Sequence, residues 1–353
     1  MSRPFLVKDI AQQAGVSTAT VDRVLNHRPN VRPHMARRVA QAIEALQRQS
    51  RQVGVVGRKL LVDLVMETPD RFSALVREAL EAEMAALQPL VFRARYELQQ
   101  VFAPQQLVAV LDRIAARGSH GVLLKAPDLP EVITAVDRLV ERGIPVITVV
   151  TDLPQSRRLA YVGLDNRAAG ETAAYLLGQW LGGSRKAGVL VSMSSVRFRG
   201  EEEREAAFRQ ALQRDHPRLA IHDVSEGHGV HERTTRLVGQ KLAAHADLVA
   251  VYSIGGANAA ILDAFEQAGR RCRCFIGHDL DADNLALLRD HRLSAVLNHD
   301  LRQDMRAACL HLMAAQGVAG LTAPQGLSNV DVVTPYNLPE PLRAGPLSRL
   351  RRA

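Results

Sequence analysis

From residue 60 onward the chain repeats one unit: a short aliphatic run, then an amphipathic stretch. "LLVDLVM" (60–66), "LVFRARY" (90–96), "GVLLKAP" (121–127) and "PVITVV" (145–150) are separated by stretches such as "FSALVREALEAEMAAL" and "PQQLVAVLDRIAARG". The pattern continues with "YVGLDNRAAGETAAYLLGQWL", "AGVLVSM" with "GEEEREAAFRQALQR", and "LVAVYSI" with "NAAILDAFEQAG". It ends with "CFIGHDL" and "ADNLALLRD", then "LSAVLNHD" and "LRQDMRAACLHLMAAQG". Strands this uniformly apolar are buried on both faces, which predicts parallel sheets covered by helices. The number of strands suits two sheets better than one. A break falls at "LPQSRRLA" (153–160). No apolar run reaches the roughly 20 residues of a membrane span, so a membrane partner is not expected.

The first 47 residues follow a different plan. Ile10, Ala11 and Ala14 mark one face of a helix over Val7–Ala14, which Gly15 ends. Ser17 is suited to cap a second helix over Thr18–Asn26, with Val21, Val24 and Leu25 inward. Arg32-Pro33 opens a third, where Met35, Val39, Ile43 and Leu46 recur at helical spacing. Two helices joined by a tight Gly turn and closed by a third are a helix-turn-helix plan. Thr18, Ala19, Asp22 and Arg23 are then left on the open face.

Charge supports that plan. The chain has 353 residues and a net charge of +8. Residues 1–59 hold eleven Lys/Arg against three acids, and the remainder holds 34 against 34. All the excess positive charge therefore sits in the first sixth, as in a small polyanion-binding module on a neutral body. The N-terminus has no apolar stretch of signal-peptide length, so a cytoplasmic location is expected. Cys272, Cys274 and Cys309 form no framework spacing, which fits a reducing compartment and unpaired thiols. His228 and His231 in "EGHGVHER" read as solvated loop residues, and no metal or other cofactor is expected.

"VKDIAQQAGVSTATVDRVLN" followed by "VRPHMARRVAQAIEAL" resembles the DNA-binding headpiece of the lactose/galactose repressor (LacI-type) family of bacterial transcription regulators. "YVGLDNRAAG", "RFRGEEEREAAF" and "FIGHDLDADN" stand in the order of that family's effector domain, which is similar to periplasmic sugar-binding proteins. The resemblance implies an all-α headpiece (1–47), a linker or hinge (48–59) and an α/β two-subdomain body (60–338). The N-subdomain would span about 60–158 plus 301–327, and the C-subdomain about 159–300 plus 328–338. A tail follows at 339–353. It further implies a repressor that binds double-stranded operator DNA as a homodimer, or as a tetramer. A sugar or polyol in the inter-subdomain cleft would modulate it. An enzyme or a sugar-binding protein on the same fold is the alternative. Against an enzyme, the sequence has no Gly-x-Ser-x-Gly, no phosphate-binding loop signature and no zinc signature.

The expected DNA-binding residues are Ser17, Thr18, Ala19, Thr20, Asp22, Arg23 and Asn26. Short side chains suit a groove floor, and Arg23 is placed to read guanine, the commonest specific contact of an Arg. Asn26 either meets a phosphate or ends its helix. Asp22 departs from the family's usual Ser. It would accept from a cytosine, orient Arg23 or an Arg of the third helix, or repel nonspecific DNA, and orientation is the favoured role. "LQRQSRQVGVVGRKL" lacks the family's hinge Pro and wedge Leu, and its β-branched residues and glycines disfavour a helix.

Ligands of open α/β sheets sit beyond the carboxyl ends of the strands. Asp152, Arg204, Asp279 and His299 stand there, with Phe72 as a stacking candidate for a sugar face. The resemblance puts Arg204 and Asp279 on opposite sides of the cleft. Asp165-Asn166 either faces the ligand or caps the next helix.

Overall fold

The computed structural model describes residues 5–26, 28, 31–53, 59–87, 90–182, 187–318 and 325–343. The N-terminal helices are α1 (Val7–Ala14), α2 (Thr18–Leu25) and α3 (Pro33–Val53). Ile10, Ala11, Ala14, Val21, Val39 and Ala42 form their buried core, with Val16, Val24 and Ile43 half-buried around it. Gly15 takes the left-handed conformation (φ 59°) that closes α1, and its N–H returns to Ala11 and Gln12. The Arg38 guanidinium donates to its carbonyl from α3, fixing the turn against the third helix.

The stretch expected to be an irregular linker begins as helix instead. α3 runs to Val53, through "QRQSRQ". Gln and Arg propagate a helix without an apolar stripe, so the lost period does not mark its end. The rest of the expected hinge, 54–58, lies outside the described residues.

Two βα layers follow. The first sheet has the order β2-β1-β3-β4-β5, all parallel, from β1 (Lys59–Glu67), β2 (Val91–Gln99), β3 (Gly121–Lys125), β4 (Val146–Val149) and β5 (Ala160–Val162). The second contains β6 (Gly188–Ser192), β7 (Ala220–Val224), β8 (Leu248–Ser253), β9 (Cys274–His278), β10 (Ala295–Asn298) and β11 (Asp331–Val333). Its order is β11-β10-β9-β8-β6-β7, and β11 is antiparallel to β10. The body is thus an α/β fold of two parallel-dominated sheets, preceded in the chain by a helical N-terminal domain.

Helices flank both sheets: α4 (Asp70–Ala86), α5 (Pro104–Arg117) and α6 (Pro130–Glu141) on the first, α7 (Asn166–Leu181), α8 (Arg199–Asp215), α9 (His231–Ala244), α10 (Asn258–Gln267) and α11 (Ala282–Arg289) on the second. α12 (Leu301–Ala315) returns to the first lobe, where Met305, Ala308, Cys309 and Leu312 join the core of Leu60, Leu64 and Val76. The chain crosses between lobes later than the break at 153–160 suggested. β5 pairs with β4 in the first sheet, so 159–162 belong to the first lobe. Leu164 forms a parallel bridge to Ser328, where the chain leaves the first lobe for the second for the first and the second time. The tail expected from 339 opens with a short helix, α13 (Glu340–Arg343), and Arg289 donates to the Leu342 carbonyl.

Candidate functional site

The N-terminal domain presents α2 as its open helix. Thr18, Ala19 and Arg23 are exposed while Val21 is fully buried. The Ser17 side chain caps α2 by accepting from the Thr20 N–H at 3.2 Å, and the two hydroxyls meet at 2.9 Å. Among the described residues Asp22 pairs with neither Arg23 nor an Arg of α3. Its carboxylate accepts from the Asn26 side chain at 2.7 Å and stands 3.5 Å from the Arg28 guanidinium, one turn further on. Asn26 therefore ends the helix and ties back to Asp22.

The second site lies between the lobes, at the carboxyl ends of the strands. In each sheet the strand order reverses beside the first strand of the lobe, and side chains beyond that reversal are free to converge. Glu67 ends β1, Lys125 ends β3, and Thr151 follows β4. From the other side come Ser194 after β6, Ile254 after β8, and His278-Asp279 at the end of β9. Together with Arg71, Phe72, Glu201, Arg204 and Asp281 they enclose a cleft of about 740 Å³ of atom-free space, counting its open mouth. Its lining is mixed acid, base and aromatic.

Several contacts already span the two lobes. Arg71 on α4 reaches Asp281 at 3.1 Å and the Gly229 carbonyl at 3.4 Å. Arg197 reaches Glu67 at 2.8 Å, and the Gly200 N–H donates to the Thr151 hydroxyl at 3.0 Å. The Asp128 N–H donates to the Arg197 carbonyl. These contacts hold the lobes against each other with the cleft between them.

Electrostatics inside the cleft are strongly shaped by burial. Burial pulls the Lys125 ammonium down to about 8, against the opposing charges of Glu201 and Glu67. Its Nζ donates to the Glu67 carbonyl at 2.8 Å and lies 4.0 Å over the Phe198 ring. Burial also raises Glu67, although Arg197 opposes it. His278 is held well below its usual range by burial and then by the Arg204 charge, so it is neutral. Its Nε2 meets the Tyr252 hydroxyl at 3.0 Å, while Nδ1 has no protein partner. The Phe102 backbone and the nearby Lys125 charge also work to lower Glu67. Burial would raise Asp279, but His299 outweighs it, and with His278 and Arg204 keeps this carboxyl below its usual range.

Arg204 owes its place to close helix packing. Its Nε donates to the Asn166 Oδ1 at 2.8 Å, at the start of α7. A Cβ on Gly170 would lie 2.3 Å from the Arg204 carbonyl, so glycine lets α7 and α8 touch along their backbones. Asp165 caps α7 through the Ala168 N–H, and Asn166 accepts from Arg204 while its amide donates to Glu203.

A family profile described as "Periplasmic binding protein domain" matches residues 62–319, most of the chain. The chain belongs to the periplasmic binding protein domain family. A second profile, "Bacterial regulatory proteins, lacI family", matches residues 6–47, and the N-terminal helices are a helix-turn-helix domain of that type. Among curated proteins, the ribose import binding protein RbsB of Bacillus subtilis is 28% identical over 53% of this chain and 60% of its own length. The uncharacterized HTH-type transcriptional regulator YkvZ of the same organism is 33% identical over 29% of this chain and 34% of its own. The chain thus spans less than two thirds of either relative. Solved structures share the fold. GanP, a glucose-galactose binding protein from Geobacillus stearothermophilus, superposes with a TM-score of 0.70 at 23% identity, over 80% of this chain and 99% of GanP. A solute-binding protein of an ABC transporter from Burkholderia graminis, solved with D-arabinose, gives 0.71 at 20% identity, over 80% and 98%.

Within this periplasmic-binding-protein body the five residues expected from sequence divide. Phe72, Arg204 and Asp279 line the cleft. Phe72 does so while packing into the first-lobe core. Asp152 does not line it. Its carboxylate is taken by a two-pronged pair with Arg158 and by the Thr148 hydroxyl and Leu153 N–H. His299 stands behind Asp279, enclosed between Asp279 at 3.2 Å and Asp304 at 3.4 Å. These are ion-pair distances without hydrogen-bond alignment, since neither ring nitrogen has an aligned partner. Sequence reading missed Glu67, Arg71, Lys125, Glu201 and His278. Glu67 and Lys125 close apolar strands, and a charged residue ending a buried run was the available signal.

Proposed function

We propose that this chain is a transcriptional repressor that binds operator DNA as a cytoplasmic homodimer and is controlled by a small sugar or polyol in the cleft. The observation that carries the reading is the joining, in one chain, of a lacI-type helix-turn-helix domain to a cleft between two lobes lined by Phe72, Arg204 and Asp279. Charged groups of both signs converging with an aromatic ring in a cleft between two lobes favour a polar ligand. Carboxylates at Glu67 and Asp279 accept from hydroxyls, and Arg204 donates to them, which is the chemistry of a polyol. That RbsB is a ribose import binding protein accords with this class.

In the DNA complex, α2 enters the major groove. Thr18, Ala19 and Arg23 meet bases, Ser17 and Thr20 hold the helix start, and Asn26 with Asp22 closes its end. Ligand in the cleft bears on Arg71, Glu67 and Thr151 from one lobe and on their partners from the other, so it biases how the lobes sit. That coupling is reciprocal: DNA must change effector affinity by the factor with which effector changes DNA affinity.

The test is fluorescence anisotropy of the purified protein on its own upstream DNA, at several salt concentrations and with a panel of pentoses, hexoses, polyols and their phosphates. Salt-dependent binding that one ligand weakens is expected. Failure to bind DNA at any salt would exclude a regulator, and strengthening by the ligand would replace induction with co-repression.

A further inference from the structure

A second cluster lies at the opposite end of the second lobe from the cleft. His222 on edge strand β7, His245 just past the end of α9, and Asp247 just before β8 bring one ligand atom each within 4.8 Å of one another. Among the described residues this is the one set of three His, Cys or carboxylate side chains so placed. All three are half-buried and open to small solutes. The cleft-facing Ser194 and Ile254 stand at the other ends of β6 and β8, about 15–20 Å away at the rise of an extended strand.

We propose that His222, His245 and Asp247 bind a divalent transition-metal ion, zinc in the first instance. His222 Nε2 and Asp247 Oδ2 are 3.1 Å apart. Ligands about 2.0–2.1 Å from a tetrahedral zinc stand about 3.3–3.4 Å from each other, so this pair already has near that spacing. The His245 ring lies against the His222 ring, centroids 3.9 Å apart and tilted by 37°. Closing the set takes at most about 1.4 Å of side-chain movement, available to a residue beyond a helix end. Two imidazoles and one carboxylate are the donor set that zinc, cobalt and related ions accept with positions left for water.

The backbone prepares the place. The Gly188 N–H donates to the Asp247 carbonyl at 2.8 Å. A Cβ on Gly188 would stand 2.7 Å from Asp247 Oδ2 and 3.1 Å from the His222 ring, so glycine leaves the room these side chains use. The ion would fasten the edge strand β7 to the end of α9 and to the start of β8. Arg270 already ties the end of α9 to the start of β8 through the carbonyls of Leu242, His245, Ala246 and Leu248, so the ion would add β7 to a fixed corner.

The full-length protein, freed of metal by chelation and dialysis, is titrated with zinc chloride by calorimetry and with cobalt chloride by visible spectroscopy. His222→Gln, His245→Gln and Asp247→Asn are titrated alongside, with His231→Gln as a control. About one ion per chain is expected, with cobalt ligand-field absorption and a zinc-dependent rise in Tm. Each of the three variants should lose ~10-fold or more in affinity, the control should not, and circular dichroism in chelator should match the parent. Should a variant fail to fold, the other two and the cobalt spectrum of the parent still decide. No uptake by the parent, or uptake unchanged in the three variants, overturns the proposal and leaves a His222–Asp247 hydrogen bond with His245 stacked on it.

Discussion

His299 Nδ1 stands 3.2 Å from Asp279 Oδ1, behind the cleft rather than in it. Burial alone would lower the imidazole, but Asp279 and then Asp304 outweigh it, so its folded value lies above 6.5. Asp279 lies below 3.8 for the converse reason. A raised folded value makes the His299 contribution complete below pH 6.5 and lost as pH rises through the raised value. The Asp279 contribution is complete above 3.8 and lost as pH falls through the lowered one. The Tm advantage of the parent over His299→Gln is therefore expected to shrink as pH climbs from 6.5. An advantage that stays flat from there to alkaline pH would contradict the pair.

Lys125 has the opposite sign. Its folded value of about 8 lies below the ordinary 10.5, so between them the unfolded chain binds more protons and stability rises with pH. The contribution of the neutral amine is complete above 10.5 and lost as pH falls through about 8. Relative to Lys125→Met, the parent should gain stability across that window, by up to about 3 kcal/mol at 1.36 kcal/mol per unit. Chemical denaturation of both proteins at pH 7, 9 and 10.5 measures it.

Tyr252→Phe removes the partner of His278 Nε2 and leaves a buried imidazole with neither nitrogen paired. A loss of about 1–3 kcal/mol is expected, the cost of an unsatisfied buried polar group. Effector affinity should fall with it, because His278 faces the cleft. Urea denaturation and ligand titration of the variant check the two halves separately.

Gly170→Ala should weaken effector binding from outside the cleft. The added methyl meets the Arg204 backbone at 2.3 Å, which forces α7 and α8 apart and moves the guanidinium. A drop in Tm with a loss of effector affinity of ~10-fold is expected, since misplacing a charge-assisted donor costs about 1.4 kcal/mol or more. Unchanged calorimetric affinity would separate Arg204 from ligand binding.

On α2, Arg23→Ala should cost about 1–3 kcal/mol on the operator and relax discrimination at one base pair. Asp22→Ser removes a carboxylate from the DNA-facing helix and frees Arg28. It should raise affinity for nonspecific DNA and steepen the salt dependence by less than one ion. If operator discrimination vanished instead, Asp22 would be reading a base.

The second lobe shows where periodicity fails as a guide. β7, "AIHDV", carries polar residues because it is an edge strand with one half-exposed side, so it has no aliphatic run to detect. α9 follows it with only Thr234, Val238 and Leu242 buried. Both escaped reading from sequence, and the His222–His245–Asp247 cluster forms on β7 and just past the end of α9.

The sequence by itself determined the layered βα body, the three N-terminal helices and the concentration of positive charge at one end, because each follows from local periodicity and composition. It also pointed to Arg204, Asp279 and Phe72. Only the tertiary structure decided that Asp152 is bound to Arg158, that His299 supports Asp279 from behind, and that Asp22 holds Arg28. The same holds for Glu67 and His278, brought across a cleft from different lobes. Across the cleft a side chain's partner depends on which strands become neighbours and how the lobes meet, as Glu67 with Arg197 shows. Even over six residues, as from Asp152 to Arg158, it depends on how the loop between them turns, which hydrophobic periodicity does not record.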